Sequence, residues 1–197
     1  MIRIILLGCL IASTACAAEL EIRFTAIQKI LAQEVFTQDG RRYVSGSPSA
    51  KCSFAYLEHP ELRGDNGRVS LRAHFTGRSA LGLFGRCLGM GDSFDVYVTA
   101  VPYYHTKTIG LKDVHVEGRG SAGEARNSYY VRRVCAGLAG SLRKQFQYSV
   151  ADDARRLLEQ SRPNAVYRQE LRDFNVTEIR VTPDALVIVF DFRLTVE

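Results

Sequence analysis

The sequence predicts an α+β fold in which a highly curved antiparallel β-sheet wraps lengthwise around one long amphipathic α-helix, with a short N-terminal helix. Two observations support this class. Residues 121–148 carry apolar side chains at spacings of three and four, the period of one helix face. On either side of this segment, apolar and polar residues alternate as they do in half-buried strands. Because a helix must bury its apolar face, we expect these strands to pack along it.

Residues 1–18 have the pattern of a secretory signal peptide. A basic residue precedes an apolar run, small residues follow it, and the run is too short to span a bilayer. We therefore expect cleavage near Ala18 and a single α+β domain over residues 19–197, which is periplasmic or secreted. Lipidation at Cys16 is the alternative, and it would make the protein an anchored lipoprotein. Either route leads to a compartment that permits disulfides.

The chain is mildly basic, with a formal net charge of +5. Much of the excess lies between Arg126 and Arg156, in predicted helices. Such a basic stripe attracts anionic headgroups or phosphates, and it is also the ordinary solvated side of an amphipathic helix. The sequence is thus compatible with peripheral contact with an anionic membrane. It indicates no nucleic-acid partner and does not identify a protein partner.

The elements before the long helix are mainly strands. A helical stripe predicts a short helix over residues 26–36, and the Asn66-Gly67 pair predicts a tight hairpin turn. Alternation predicts strands over residues 52–57, 69–75, 94–102 and 109–116. The last of these changes phase at Lys112 and Asp113, which predicts a β-bulge there.

Residues 77–92 are rich in glycine and are expected to form a surface loop. The stretch nevertheless carries large apolar side chains. Four of these side chains are candidates for a functional site: Leu83, Phe84, Leu88 and Met90. We interpret them as the mouth of an apolar pocket or as a membrane contact, with packing of the loop back onto the sheet as the structural alternative.

A second helix is predicted over residues 151–160 with Ser149 as its cap, followed by strands over 174–181 and 185–196. A turn at Pro183 joins these two strands. The last strand bears six apolar residues on one face. They are Leu186, Ile188, Phe190, Phe192, Leu194 and Val196. A face of this kind demands a substantial core or a ligand.

Helix and strands together would enclose an elongated apolar slot. Its predicted lining is Val131, Cys135, Leu138, Leu142, Phe146, Leu71, Phe75, Phe94, Val96, Val98, Ile188, Phe190 and Phe192. A filled slot is an ordinary core. An open slot would gain about 0.8 kcal/mol per buried CH₂ of an acyl chain, with the basic stripe available to the headgroup.

Three cysteines follow the signal segment. Cys135 falls on the apolar face of the long helix, where a free thiol behaves as a small hydrophobic side chain. Cys52 and Cys87 are the remaining pair, and both lie near predicted strand ends. We predict a disulfide between them, with the fully reduced state as the alternative.

The sequence carries no recognisable catalytic or metal-binding signature. Its four histidines lack ligand spacing, and it contains no CxxC pair. Gly89 and Gly91 begin a dinucleotide fingerprint, but Phe94 occupies the position of the third glycine. Ser121 lacks the first glycine of a nucleophile elbow. We therefore expect a protein that is not an enzyme and that uses neither a cofactor nor a metal.

The order of elements resembles a half-module of the tubular lipid-binding (TULIP) superfamily, especially small bacterial YceB-like periplasmic proteins. The matching stretches are residues 24–36, 68–77, 94–118, 131–147 and 185–195. The resemblance implies a curved sheet wrapped along a helix with acyl chains bound between them, and it carries over no catalytic residue. The Gly-rich stretch around Cys87 has no place in that pattern.

Two functions follow from these observations. The first is non-enzymatic binding or transport of a lipid or other apolar ligand in the bacterial cell envelope. The alternative is a structural or interaction protein of the envelope, with a closed core and no ligand. Whether the predicted slot is open or filled decides between them.

Overall fold

A computed structural model of the protein describes residues 18–84, 86–120, 122–145, 147–159 and 167–197. The predicted signal segment, Ser121 and Phe146 therefore lie outside the described residues. The described part is mostly antiparallel β-structure, with a strongly curled half-barrel sheet and a few helices. This confirms the predicted combination of a curved antiparallel sheet with helices.

The described elements follow one another from strand β1 to strand β9. They are β1 (Ala18–Arg23), α1 (Phe24–Ile30), a π-helical continuation (Leu31–Val35), β2 (Arg41–Ser45), β3 (Phe54–Asp65), β4 (Arg68–Leu83), β5 (Arg86–His105), β6 (Thr108–Arg119), α2 (Tyr129–Gln145), β7 (Gln147–Tyr148), α3 (Val150–Leu158), β8 (Gln169–Val181) and β9 (Ala185–Val196). A six-stranded sheet has the order β2-β3-β4-β5-β6-β7, and a three-stranded sheet has the order β1-β9-β8. The strands of the predicted single sheet are thus divided between two.

Local sequence signals explain the hairpins of the large sheet. Asn66 and Gly67 have φ values of 47° and 74°, so the predicted turn between β3 and β4 is confirmed. In β6, the pairing skips between Thr99–His115 and Val101–Lys112, with Asp113 at a φ of 51°. The predicted bulge is therefore confirmed, and bulges of this kind let a sheet bend.

The long helix is shorter than predicted. It begins at Tyr129 instead of residue 121, and the Ser128 hydroxyl accepts a hydrogen bond from the N–H of Val131 at 3.3 Å. The preceding segment is drawn away from helical geometry by contacts with the sheet, because the Arg126 guanidinium binds Asp92 at 2.9 Å. The predicted helix start at Ser121 is therefore wrong.

The predicted Gly-rich loop is also wrong, because most of residues 77–92 belong to strands β4 and β5. The two strands stay paired as far as Leu83 opposite Arg86. Alternation of the large residues with small ones continues through the stretch, and this period-two signal outweighs its glycine content.

The smaller elements agree with the sequence. The short N-terminal helix is present as α1 with its π-helical continuation, and α3 begins with Ser149, whose hydroxyl accepts from the N–H of Asp152 at 3.4 Å. The disulfide between Cys52 and Cys87 is confirmed, with Cα atoms 5.2 Å apart. Cys135 is a buried free thiol on α2.

The core consists of two separate clusters. In the first, α2 packs on the apolar face of the large sheet through buried Phe75, Phe94, Val96, Val131 and Cys135. In the second, the small sheet packs against the start of β6 through buried Ile109, Val176 and Ile188. The sequence alone predicted one continuous slot, and the separation arises because β9 pairs with β1 and β8 instead of joining the large sheet.

Candidate ligand-binding groove

Helix α2 presents two adjacent faces to different surroundings. Val131 and Cys135 point into the first core cluster and are almost fully buried. One residue before each of them, Tyr130 and Val134 turn toward a groove beside the helix. The helix therefore supplies both the core and one wall of an open site.

The groove has a volume of about 730 Å³, within the range of sites for small apolar ligands. The residues that α2 contributes recur at spacings of three and four. They are Tyr130, Arg133, Val134, Gly137, Leu138, Ser141 and Leu142. Gly137 leaves open space, since a Cβ atom built there would meet nothing within 4 Å. The wall is thus mainly apolar, with a few hydroxyl and charged groups.

The opposite wall is the edge strand β2 with its neighbours. It consists of Val35, Arg42, Tyr43, Val44, Ser45, Ala55 and Phe75. Val44 lies at an irregularity in the pairing, because Tyr43 opposes Tyr56 while Ser45 opposes Ala55. Such a bulge re-aims side chains, and Val44 remains 46% exposed at the groove.

Strand β2 is held to β3 by side-chain contacts near the groove. The rings of Tyr43 and Tyr56 lie 5.3 Å apart between centroids. Arg41 donates to the carboxylate of Glu58 at 2.9 Å, and its guanidinium lies 4.5 Å from the centroid of Tyr56. These contacts fix an edge strand that would otherwise be weakly paired.

The charged residues of the groove lining are Arg42 and Arg133, both exposed. Within the described residues, no carboxylate pairs with either guanidinium. Part of the predicted basic stripe, in contrast, is neutralised by nearby acidic groups: Arg126 binds Asp92, and Arg156 binds Asp153. The electrostatics of the groove consequently favour an anionic group.

Tyr130 marks one end of the groove. Burial, together with the nearby charge of Asp92, raises the pKa of its phenol above the ordinary value. The hydroxyl therefore stays protonated at neutral pH and can donate a hydrogen bond at this end.

In the structure, most of the predicted slot residues lie in the first core cluster, in the second core cluster or at the groove. Five of them form the first cluster, and Val98 and Leu138 pack against it. Ile188 and Phe190 belong to the second cluster, and Phe192 is 40% exposed beside Phe190. Leu71 belongs to neither cluster. Three of the predicted residues, Phe75, Leu138 and Leu142, reach the groove.

A hydrogen-bonded network on the other face of β4 and β5 joins a serine, a histidine and an aspartate. His74 Nε2 lies 2.7 Å from Ser93 Oγ, and His74 Nδ1 lies 2.9 Å from Asp95 Oδ1. Burial alone would raise the pKa of Asp95, but hydrogen bonds from His74 and Arg72, and the charge of Arg72, outweigh it and lower that pKa.

The serine, histidine and aspartate are hydrogen-bonded in the order of a catalytic triad, but the groups around the serine do not form an oxyanion hole. The N–H of Ser93, which an oxyanion hole beside that nucleophile would use, donates to the carboxylate of Asp92 at 2.9 Å. The carbonyl of Ser93 accepts from Arg126 at 2.9 Å. We therefore interpret the network as a link that holds the sheet and the segment before α2 together.

Two further observations concern metals and membranes. Within the described ranges, no cluster of three or more His, Cys, Asp or Glu side chains has the arrangement to hold a metal ion. Among the same residues, no helix has both the length and the apolar character required to cross a bilayer.

Comparison of the chain with protein-family models, with curated proteins and with solved structures finds no match. The resemblance to the TULIP superfamily therefore remains a prediction.

Sequence analysis missed the β2 side of the groove. Residues 38–49 carry no strand signal in the sequence, because Gly40, Gly46 and Pro48 indicate turns. The α2 wall was detectable, since its residues have helical spacing, but they lie next to the more apolar stripe that includes Val131 and Cys135. The strand pairing that places β2 beside the helix carries no local sequence signal.

Proposed function

We propose that the protein binds a lipid or other apolar ligand, without catalysis, in the groove between α2 and β2. The observation that carries the proposal is an open, mainly apolar groove along a full helix face, next to a core that is already closed by Val131 and Cys135. Val131 and Cys135 are buried without a ligand, and the groove on the outer side of this core is open, so it is available to a ligand.

The charge of the groove narrows the ligand class. An apolar chain would lie along Val134, Leu138 and Leu142, and an anionic headgroup would contact Arg42 and Arg133. Each CH₂ that leaves water contributes about 0.8 kcal/mol, so a chain of ordinary length binds without a large polar anchor. An amphiphile with a carboxylate or phosphate headgroup fits both features.

The resemblance to TULIP half-modules adds to this proposal. It implies a sheet curled lengthwise along the helix, with acyl chains between the two. The signal-peptide pattern of residues 1–18 would direct the protein to the periplasm. In that compartment, the protein would carry or buffer lipids of the cell envelope.

An envelope interaction protein without cargo is the second candidate. It is favoured by a specific observation, the exposed apolar side chains on the β4–β5 hairpin. In this case the groove would remain empty, and the hairpin alone would carry the function.

Native mass spectrometry separates the two candidates. The protein is purified from a bacterial periplasm without detergent and measured before and after extraction with organic solvent. We expect extra mass that disappears on extraction and is identified as fatty acid or phospholipid. A bare polypeptide mass in both spectra would contradict the proposal and favour the second candidate.

Charge variants test the headgroup contact. Replacing Arg42 and Arg133 by Gln should weaken the binding of a fluorescent fatty acid about tenfold or more. Arg132→Gln is the matched control, because Arg132 is exposed on the same helix but does not line the groove. Equal affinity in all three proteins would remove the assigned role of the two arginines.

A further inference from the structure

The distal part of the β4–β5 hairpin continues the apolar face of the large sheet beyond its cover. Residues directly opposite each other in an antiparallel pair share one face. The register runs without interruption from Phe75 opposite Phe94 to Leu81 opposite Leu88. Strict alternation therefore puts Leu81, Leu88 and Met90 on the same face as the two core phenylalanines.

The start of α2 and the segment before it cover this face of the sheet only as far as Gly77. A Cβ atom on Gly77 would contact the hydroxyl of Tyr130, in the first turn of α2, and the opposite residue, Asp92, binds Arg126. Beyond this level, none of the residues that the structure describes covers the same face. Leu81, Leu88 and Met90 are 73%, 59% and 80% exposed.

The tip of the hairpin adds a fully exposed aromatic ring. Phe84 follows Leu83 at the turn, has a φ of 49° and is completely exposed. We call Leu81, Phe84, Leu88 and Met90 the hairpin patch. A bulky residue at a positive φ is an uncommon choice for a turn that serves only to connect strands.

The opposite side of the hairpin is fixed. Gly82 pairs with Cys87, which is linked to Cys52 by the disulfide. A Cβ atom on Gly82 would lie 3.5 Å from the Cys52 sulfur. The disulfide therefore anchors the hairpin from the side that does not carry the patch, and it leaves the patch facing outward. This reduces the entropy that a partner would have to remove on binding.

The charged residues within the hairpin are basic, with Arg86 on the patch face and Arg78 on the disulfide face, and the acidic residue that follows, Asp92, is paired with Arg126. Residues 77–91 contain Arg78 and Arg86 and no acidic residue. Lys51 adjoins the anchoring Cys52. Apolar and aromatic side chains flanked by basic ones are suited to the interface of an anionic bilayer, where the former enter the acyl boundary and the latter contact headgroups.

We propose that the hairpin patch docks the protein on the surface of anionic phospholipid bilayers, with Arg86, which the register puts on the same face as the patch, contacting the headgroups. This surface is separate from the groove and does not rest on the proposed function. Together, however, the two sites would bring a lipid-binding groove close to a source of lipid.

Sedimentation with vesicles tests the proposal. One set contains phosphatidylcholine alone, and the other contains about one quarter phosphatidylglycerol. We expect binding to the anionic vesicles, which weakens as salt is raised from about 0.1 M to about 0.5 M. Replacing Leu81, Phe84 and Met90 by Ser should reduce the partition coefficient more than about tenfold, because the apolar contribution is lost.

Two matched variants test whether vesicle binding depends on the patch itself or on any exposed apolar side chain or positive charge. Val196→Ser removes an apolar side chain that is 57% exposed elsewhere, and Lys112→Gln removes an exposed positive charge elsewhere. Both should bind like the unmodified protein, whereas Arg86→Gln should bind less. All variants change exposed side chains, and circular dichroism checks that they remain folded.

Three results would overturn the proposal. They are unchanged binding after the Ser substitutions, absence of binding to anionic vesicles, and self-association of the protein in solution that the Ser substitutions abolish. Cargo in native mass spectrometry tests the groove independently. A protein that carries lipid but does not bind vesicles would retain the proposed function and lose only the docking surface.

Discussion

The N–H group of Gly64 in β3 donates a hydrogen bond to the carbonyl oxygen of Pro183, 3.0 Å away in the turn between β8 and β9. This contact joins the large sheet to the small one. It requires glycine, because a Cβ atom at residue 64 would overlap the carbonyl oxygen of Thr182. Neither core cluster of the described residues includes this contact. The two backbones approach this closely because residue 64 has no side chain.

Gly64→Ala should therefore destabilise the protein. Overlap with backbone atoms forces the two sheets apart, and we expect the free energy of unfolding to fall by about 1–3 kcal/mol. Urea denaturation followed by circular dichroism measures the change. Gly82→Ala is the control, since its nearest atom would be the Cys52 sulfur at an ordinary 3.5 Å. Equal stability of the two variants would show that the contact is not constrained.

Gly137 and Gly140 form a matched pair for testing the groove. Both lie in α2 with no atom within 4 Å of a built Cβ, but only Gly137 lines the groove. Replacing either by Leu should stabilise the helix by about 0.5–1 kcal/mol, because glycine disfavours helix interiors. Gly137→Leu should also fill the groove and weaken the binding of a fluorescent fatty acid about tenfold or more. Equal binding by both variants would move the ligand site elsewhere.

The lowered pKa of Asp95 predicts a pH dependence of stability. Because the folded pKa lies below the unfolded value of about 3.9, the ionised carboxylate stabilises the fold above that pH. The contribution disappears as the pH falls through the folded pKa. Asp95→Asn should lower the free energy of unfolding by about 1 kcal/mol at neutral pH. The difference from the unmodified protein should shrink at about pH 3, and an unchanged difference would contradict the assigned role.

Cys135 should be unreactive in the folded protein. Burial raises the pKa of its thiol, and the charge of Glu117 adds to the effect, so the thiolate is scarce at neutral pH. Labelling with iodoacetamide should be slow under native conditions and fast in guanidinium chloride, with mass spectrometry locating the label. Rapid native labelling at this position would show that α2 separates easily from the sheet.

Local patterns predicted the turn at Asn66-Gly67, the bulge near Asp113 and the final strand, because each depends on residues close in sequence. The start of α2 could not be predicted in this way. The segment before it is held by Arg126, whose partner Asp92 is 34 residues away. Composition was also misleading for residues 77–92, where glycines suggested a loop although large residues alternated with the period of a strand.

Prediction of the candidate site was partial for a related reason. The apolar stripe of the helix and the alternation in the strand over 69–75 predicted Val131, Cys135 and Phe75 as the lining of a slot that could be open or filled, and the structure buries them together in a core. The groove is built from the adjacent helix face and from β2, and β2 reaches it through pairing with β3. Strand partners are set by the whole fold, so a single sequence does not reveal which edge faces a helix.

The pairing of β1 with β9 has a consequence for the order of folding. The first five strands of the large sheet are joined successively by turns or loops, so each can pair with its predecessor as soon as it emerges. The small sheet instead closes over long range, as the ion pair between Glu19 and Arg180 across 161 residues illustrates. Contacts of high sequence separation form slowly. During synthesis, β1 therefore stays unpaired until the last strand has been made, and until then its backbone N–H and C=O groups lack the partners that β9 provides.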